Sequence, residues 1–185
     1  MAIVAYILVD AYNRLVTQRN RYQNAYAQID VQLQRRYDLI PNLVSTAKAY
    51  LSHERDTLEA VIAARNTAIS ASSRAARNPG EPVAMQNLGE AEGALTGALG
   101  RLFAVSESYP NLKADGTIMM LMEELTSTEN RVGFARQAFN DGVTLYNTTK
   151  EAFPSNLVAK QFGFVTAALL AEVAPEVRVA PRVAF

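Results

Sequence analysis

Near the start of this chain apolar residues recur every seven positions in two rows: Leu15, Tyr22 and Ile29 in one, Tyr26, Leu33 and Ile40 in the other. No other feature narrows the possible folds as much. An α-helix turns every ~3.6 residues, so a seven-residue repeat holds one apolar stripe on one face over many turns, and a second helix must cover it. A half-buried strand would instead alternate with period two. The spacing predicts a long packed helix over about residues 3–37.

The same logic extends along the chain. Val44, Ala47, Leu51, Leu58, Val61 and Ala68 share a face, which predicts a second helix over about 39–77. Asn78, Pro79, Gly80 and Pro82 then form the strongest loop signal in the chain. Leu88, Leu95, Leu99 and Leu102 mark a third helix over about 83–107. After Pro110 and Gly116, a fourth over about 117–153 carries Ile118, Leu121, Leu125, Val132, Ala135, Phe139, Val143 and Tyr146 until Pro154. Long helices with short connections favour antiparallel neighbours. The expected fold is all-α, an antiparallel up-down four-helix bundle over residues 12–153. A short apolar segment, 1–11, continues into the first helix, and a tail, 154–185, holds one short helix and a partly extended end. With 185 residues the chain is long enough for one domain with a real core.

Pro41 interrupts the pattern. Inside a helix it removes one hydrogen bond and clashes with the preceding turn, at ~3 kcal/mol or more, whereas in a first turn the cost largely disappears. Asp38 suits an N-cap, so the chain is expected to reverse at Arg36 to Asp38, with Pro41 in the tolerated first turn of the second helix. The alternative is one kinked helix of about 60 residues, very long for a domain of this size.

The third helix is unusual in its glycines. Gly89, Gly93 and Gly97 fall at i, i+4 spacing with Gly100 nearby, although each interior glycine costs roughly 0.8–1 kcal/mol relative to alanine. Such a face suits close approach of another backbone, either within the bundle or from a second copy.

Charge is informative by its distribution. Residues 1–80 carry a balance of +4 and residues 81–185 one of −4, for a net charge of zero. The halves complement one another, and nothing in the total favours nucleic acid. Cysteine is absent, which removes disulfides and thiolate chemistry. The first nine residues, MAIVAYILV, are apolar but too few for the ~20 that a spanning helix needs. Ile3, Val4, Tyr6, Ile7 and Leu8 are therefore candidates for shallow membrane insertion, for a contact between copies, or for a buried helix start.

Catalytic constellations are weak. His53 and Glu54 begin an H-E pair, but the fifth residue is Thr57 and the chain has no second histidine, so neither a zinc-protease motif nor a di-iron bundle site can be built. Glu123 with Glu124, and Asp56 with Glu59, read as solvated helix faces. No catalytic residue, cofactor, metal or small-molecule substrate is assigned. Glu129, Arg131 and Arg136, with Asn13, Asn140 and Asn147, are expected to form a polar network fixing the register of the first and fourth helices.

Four phrases in order carry a family resemblance: YNRLV at 12–16, IDVQLQRRYDLIPNLVSTAKAYLSHERDTLEAVIAARN at 29–66, SYPNLKAD at 108–115 and YNTTKEAFPSNLVAKQFGF at 146–164. Together they resemble the LemA family from about residue 12 to the end. The resemblance implies a bacterial-type antiparallel helical bundle, held at a membrane by an N-terminal hydrophobic helix, with no established enzymatic activity. Family members generally carry a full transmembrane segment before the YN phrase, whereas eleven residues precede Tyr12 here. The expected function is a non-enzymatic scaffold or adaptor at a membrane surface or envelope protein, in homo-oligomeric form. The alternative is a self-assembling structural protein, soluble or extracellular, using the apolar N-terminus and the glycine face.

Overall fold

The computed structural model describes residues 2–171, without the side chain of Val4. The expected extended end beyond Ala171 lies outside the described residues. Those described form an all-helical protein with no strand: α1 (Ala2–Ala47), α2 (Arg55–Arg77), α3 (Pro82–Ser106), a single turn α4 (Pro110–Lys113), α5 (Gly116–Glu151) and α6 (Ser155–Phe162).

The seven-residue rows are the core. Leu15, Tyr22, Ile29 and Leu43 from one, and Tyr26, Leu33, Ile40 and Ala47 from the other, are all buried. α1 packs along α5, α2 along α3, and α1 joins the two pairs through α2. Partners descend on α5 as they ascend on α1, from Tyr22 against Phe139 to Arg36 near Glu129, so these two helices are antiparallel. Their backbones approach closely at Gly142, where a Cβ would lie 3.1 Å from the Tyr22 Cβ and 3.3 Å from its Cα.

The expected reversal at Asp38 does not occur. α1 continues through Pro41 for another turn and a half to Ala47, and the chain turns at 48–54. The reason lies in another helix. Pro41 has no N–H to give to the carbonyl of Tyr37, four residues back, and the Nε of Arg65 on α2 donates to that oxygen at 2.7 Å instead. Burial of Ile40, Leu43 and Ala47 rewards the extra turns. Asp38 caps nothing there; its carboxylate accepts from Gln34 one turn earlier.

The other boundaries carry explicit caps. Glu81 accepts from the amides of Val83 and Ala84 at the start of α3. Asp115 accepts from Thr117 and Ile118 at the start of α5 and also from the Tyr50 hydroxyl at 2.8 Å. That hydroxyl, followed by the Ile118 amide, holds the Asp115 carboxyl below its usual range. Tyr109 donates to Glu54, so two tyrosines tie the 48–54 turn to the α4 region.

After α6, residues 163–171 run as a strap without regular structure. Its backbone groups are satisfied by side chains of α5. Asn147 binds both the N–H and the C=O of Ala167, and Asn140 does the same for Leu170. Tyr146 donates to the Val165 carbonyl, and Ala168 N–H bonds the carbonyl of Gly80. Gly80 has φ +88 and its missing Cβ would lie 3.0 Å from that of Ala167, so both its turn and the strap require glycine.

Candidate functional site

One end of the molecule combines the start of α1 with α6. Ala11 and Leu15 are the first buried residues of α1. Every described side chain before them, from Ala2 to Asp10, is exposed, so the expectation of a buried helix start is not met. Ile3 and Tyr6 are 76% and 75% exposed, and Ile7 and Leu8 are exposed as well; the Val4 side chain lies outside those described. The ordinary expectation for an apolar side chain in a soluble domain is partial burial, so a cluster of this kind is a candidate contact surface.

α6 enlarges it. Phe153, Leu157, Phe162 and Val165 are exposed beside the α1 terminus. The rings of Tyr12 and Phe162 meet edge-on at 5.0 Å, and Phe164, under the Arg19 guanidinium, meets Tyr12 edge-on at 5.6 Å. On one flank a cavity of about 350 Å³ is lined by Leu8, Val9, Tyr12, Leu157 and Phe162. On the opposite flank Tyr6 and Ile7 face Phe153 across a second cavity of about 330 Å³. Charge begins at the border of this surface with the Asp10–Arg14 pair at 3.4 Å. The contribution of α6 to this surface was not assigned from sequence. Among the described residues no helix is long and apolar enough to cross a membrane.

The second site is polar. Arg36 of α1 is only 3% exposed. Its Nη1 donates to Glu92 of α3 at 2.9 Å, its Nη2 to Thr96 at 2.9 Å, and Glu129 of α5 lies 4.0 Å away. The Tyr37 hydroxyl donates to the other Glu92 oxygen at 2.5 Å. Burial raises the Glu92 carboxyl pKa, and the Arg36 guanidinium is the main opposing influence. One buried cation thus links α1, α3 and α5. With Arg35–Glu124 it also joins the basic first part of the chain to the acidic second part.

This network differs from the expected one. Of the six predicted residues, Glu129 reaches the α1–α5 junction through Arg36. Asn140 and Asn147 hold the strap. Asn13 and Arg131 are exposed, and Arg136 lines a cleft beside Arg36. The missed residue, Arg36, carried a legible signal: it follows Ile29 by seven and precedes Leu43 by seven, a core position occupied by a charge.

The glycines of α3 separate into two groups. Gly89 is buried, and both it and Gly93 line the cleft by Arg36. Gly97 and Gly100 are exposed, with nothing within 4 Å of an added Cβ, so the close internal approach expected there is not met; in the α1–α5 pair it is Gly142 that meets a neighbouring backbone. His53 is exposed in the 48–54 turn. Glu59 pairs with Arg55 along the α2 surface and Glu124 with Arg35. Asp56 and Glu123 are exposed.

Comparison with known proteins places the sequence among relatives. The LemA family pattern matches residues 25–185. The chain is 30% identical over 181 residues to magnetosome proteins MamQ 1 and MamQ 2 of Paramagnetospirillum magneticum (strain ATCC 700264 / AMB-1), covering 89% of this chain and 66% of each relative. It is 29% identical, with the same coverage, to magnetosome protein MamQ of Magnetospirillum gryphiswaldense. The chain thus spans just under two thirds of the length of these relatives. A match reaching from the middle of α1 through α6, together with these relatives, places this chain in the LemA family.

Proposed function

We propose that this protein is a membrane-associated, non-enzymatic helical scaffold or adaptor, with its four long helices as an antiparallel bundle and its apolar end at the membrane. The observation that carries the reading is the joint surface of α1 and α6, where Ile3, Tyr6, Phe153 and Phe162 are all exposed. Such a surface suits insertion to the depth of the headgroups without spanning, and each aromatic ring offers an amphipathic contact at that depth. Membrane association of the LemA family and the magnetosome relatives support it.

Flotation of the full chain with phospholipid vesicles tests it. The native chain is expected to float, and the Ile3→Ser, Tyr6→Ser, Phe162→Ser triple variant to remain in the lower fraction while keeping its helical circular dichroism. Equal flotation of both would defeat the assignment of this surface. The open positions Gly97 and Gly100 favour a second reading, self-assembly through α3. Light scattering of the native chain and of Gly97→Leu across concentration tests that reading, and a monomer throughout would remove it.

A further inference from the structure

α3 and α5 flank a gap instead of packing along one another. Three cavities of about 480, 110 and 460 Å³ follow that gap, from Gly89 and Gln137 at one end to Phe103 and Met122 at the other. The strap leads into it, for Leu170 and Ala171 line the first cavity.

The register of the strap gives the direction. Asn147 binds Ala167 and Asn140 binds Leu170, so three strap residues match seven helical ones. Extended chain rises ~3.3 Å per residue and a helix ~1.5 Å, so both intervals are about 10 Å. The strap therefore runs along the α5 axis toward its N-terminus, on a line that enters the gap. One wall offers Gly89 and Gly93, which admit a backbone closely. Arg36 lines the first two cavities, and its buried Nε has no acceptor among the described residues.

We propose that this gap is a binding groove for an extended polypeptide, and that its ligand is the chain's own C-terminal sequence, residues 172–185. The sequence EVAPEVRVAPRVAF suits it. Pro175 and Pro181 disfavour a helix, valines alternate with polar residues around Arg178, and acidic and basic side chains are both available to meet Arg36, Glu92 and Glu129. From Gln137 to Met122 the groove extends about 22 Å along α5, which takes about seven extended residues, and fourteen follow Ala171. The strap already shows the mode of recognition: amide side chains of α5 reading backbone groups. This inference stands apart from the membrane reading.

Engineered cysteines test it in the full chain, which has none of its own. Gly133 lines the first cavity seven residues before Asn140, and an added Cβ there meets nothing within 4 Å, so Gly133→Cys is expected to be accommodated. It is paired in turn with a cysteine replacing Glu172, Val173 or Ala174, three residues past Leu170 on average. A disulfide needs Cα atoms within ~7 Å. Under mild oxidation one of these pairs is expected to close within a single chain about tenfold faster than the same tail cysteine paired with Val31→Cys on the exposed face of α1. An excess of synthetic peptide 172–185 is expected to slow that closure. Rates no faster than the Val31 control, indifference to the peptide, or disulfide-linked dimers in place of intrachain closure would each overturn the proposal, the last in favour of a second copy as occupant.

Discussion

The passage of α1 through Pro41 rests on Arg65, and that dependence can be measured. Pro41 denies the Tyr37 carbonyl its helical donor, and Arg65 Nε replaces it at 2.7 Å while Tyr37 itself is 1% exposed. Removing the guanidinium by Arg65→Met keeps most of the aliphatic stem but leaves a buried carbonyl unpaired, which costs ~1–3 kcal/mol, toward the upper end for a charged donor. In a Pro41→Ala background the amide of residue 41 returns to that carbonyl, and the same Arg65→Met change should cost under ~0.5 kcal/mol. The coupling expected between the two sites is thus about 2 kcal/mol. Pro41→Ala alone is expected to stabilise, by less than the ~3 kcal/mol of an isolated helix, because Arg65 already meets the orphaned carbonyl. Urea unfolding of the four chains, followed by far-ultraviolet circular dichroism, supplies the numbers, and each kcal/mol should appear as roughly 2–4 °C in Tm for a domain of this size. If Arg65→Met costs the same with proline or alanine at position 41, the explanation for the unbroken helix is wrong.

Three further outcomes follow from the same structure. Arg36→Met leaves Glu92 buried without its cation and should cost about 3–5 kcal/mol at neutral pH. Since burial raises the Glu92 pKa and Arg36 is the main influence lowering it, the variant's folded state takes up a proton more readily than its unfolded state. Its stability should therefore recover as pH falls through the raised Glu92 pKa and decline as pH rises through it, read as urea midpoints at pH 7 and pH 5. Gly142→Ala places a Cβ 3.1 Å from Tyr22 and should destabilise by about 1–3 kcal/mol despite the better helix propensity of alanine, as thermal unfolding would show. Asn147→Ala removes both bonds to Ala167 and is expected to cost about 2 kcal/mol, with faster hydrogen exchange confined to the strap amides. Unchanged exchange there would mean that apolar packing alone holds the strap.

Helix content and the residues of the core were legible because periodicity is a local property that burial must obey. The two seven-residue rows on α1 continue past Asp38 to Leu43 and Ala47, with Arg36 the one charged member, and they were better evidence than the proline rule that argued for a boundary. Pro41 looked like a terminus because its cost was reckoned within one helix, while the compensating donor came from residue 65. The same limit applies to the polar residues. Glu129 and Arg136 share a helical face, which spacing shows, but the partner of Glu129, Arg36, belongs to another helix. Arg36 was legible as a charge on an apolar row. Only packing identified Glu92 and Thr96 as what satisfies it.

The sequence by itself determined an all-helical chain, its apolar stripes and the family to which it belongs, since these depend on residue order along one helix at a time. Tertiary structure decided where α1 ends, which glycine meets a neighbouring backbone, and that α6 completes the apolar surface begun by Ile3 and Tyr6. The physical reason is common to all three. Each depends on a hydrogen bond or a contact between residues far apart in the chain, and such a pairing has no period to betray it.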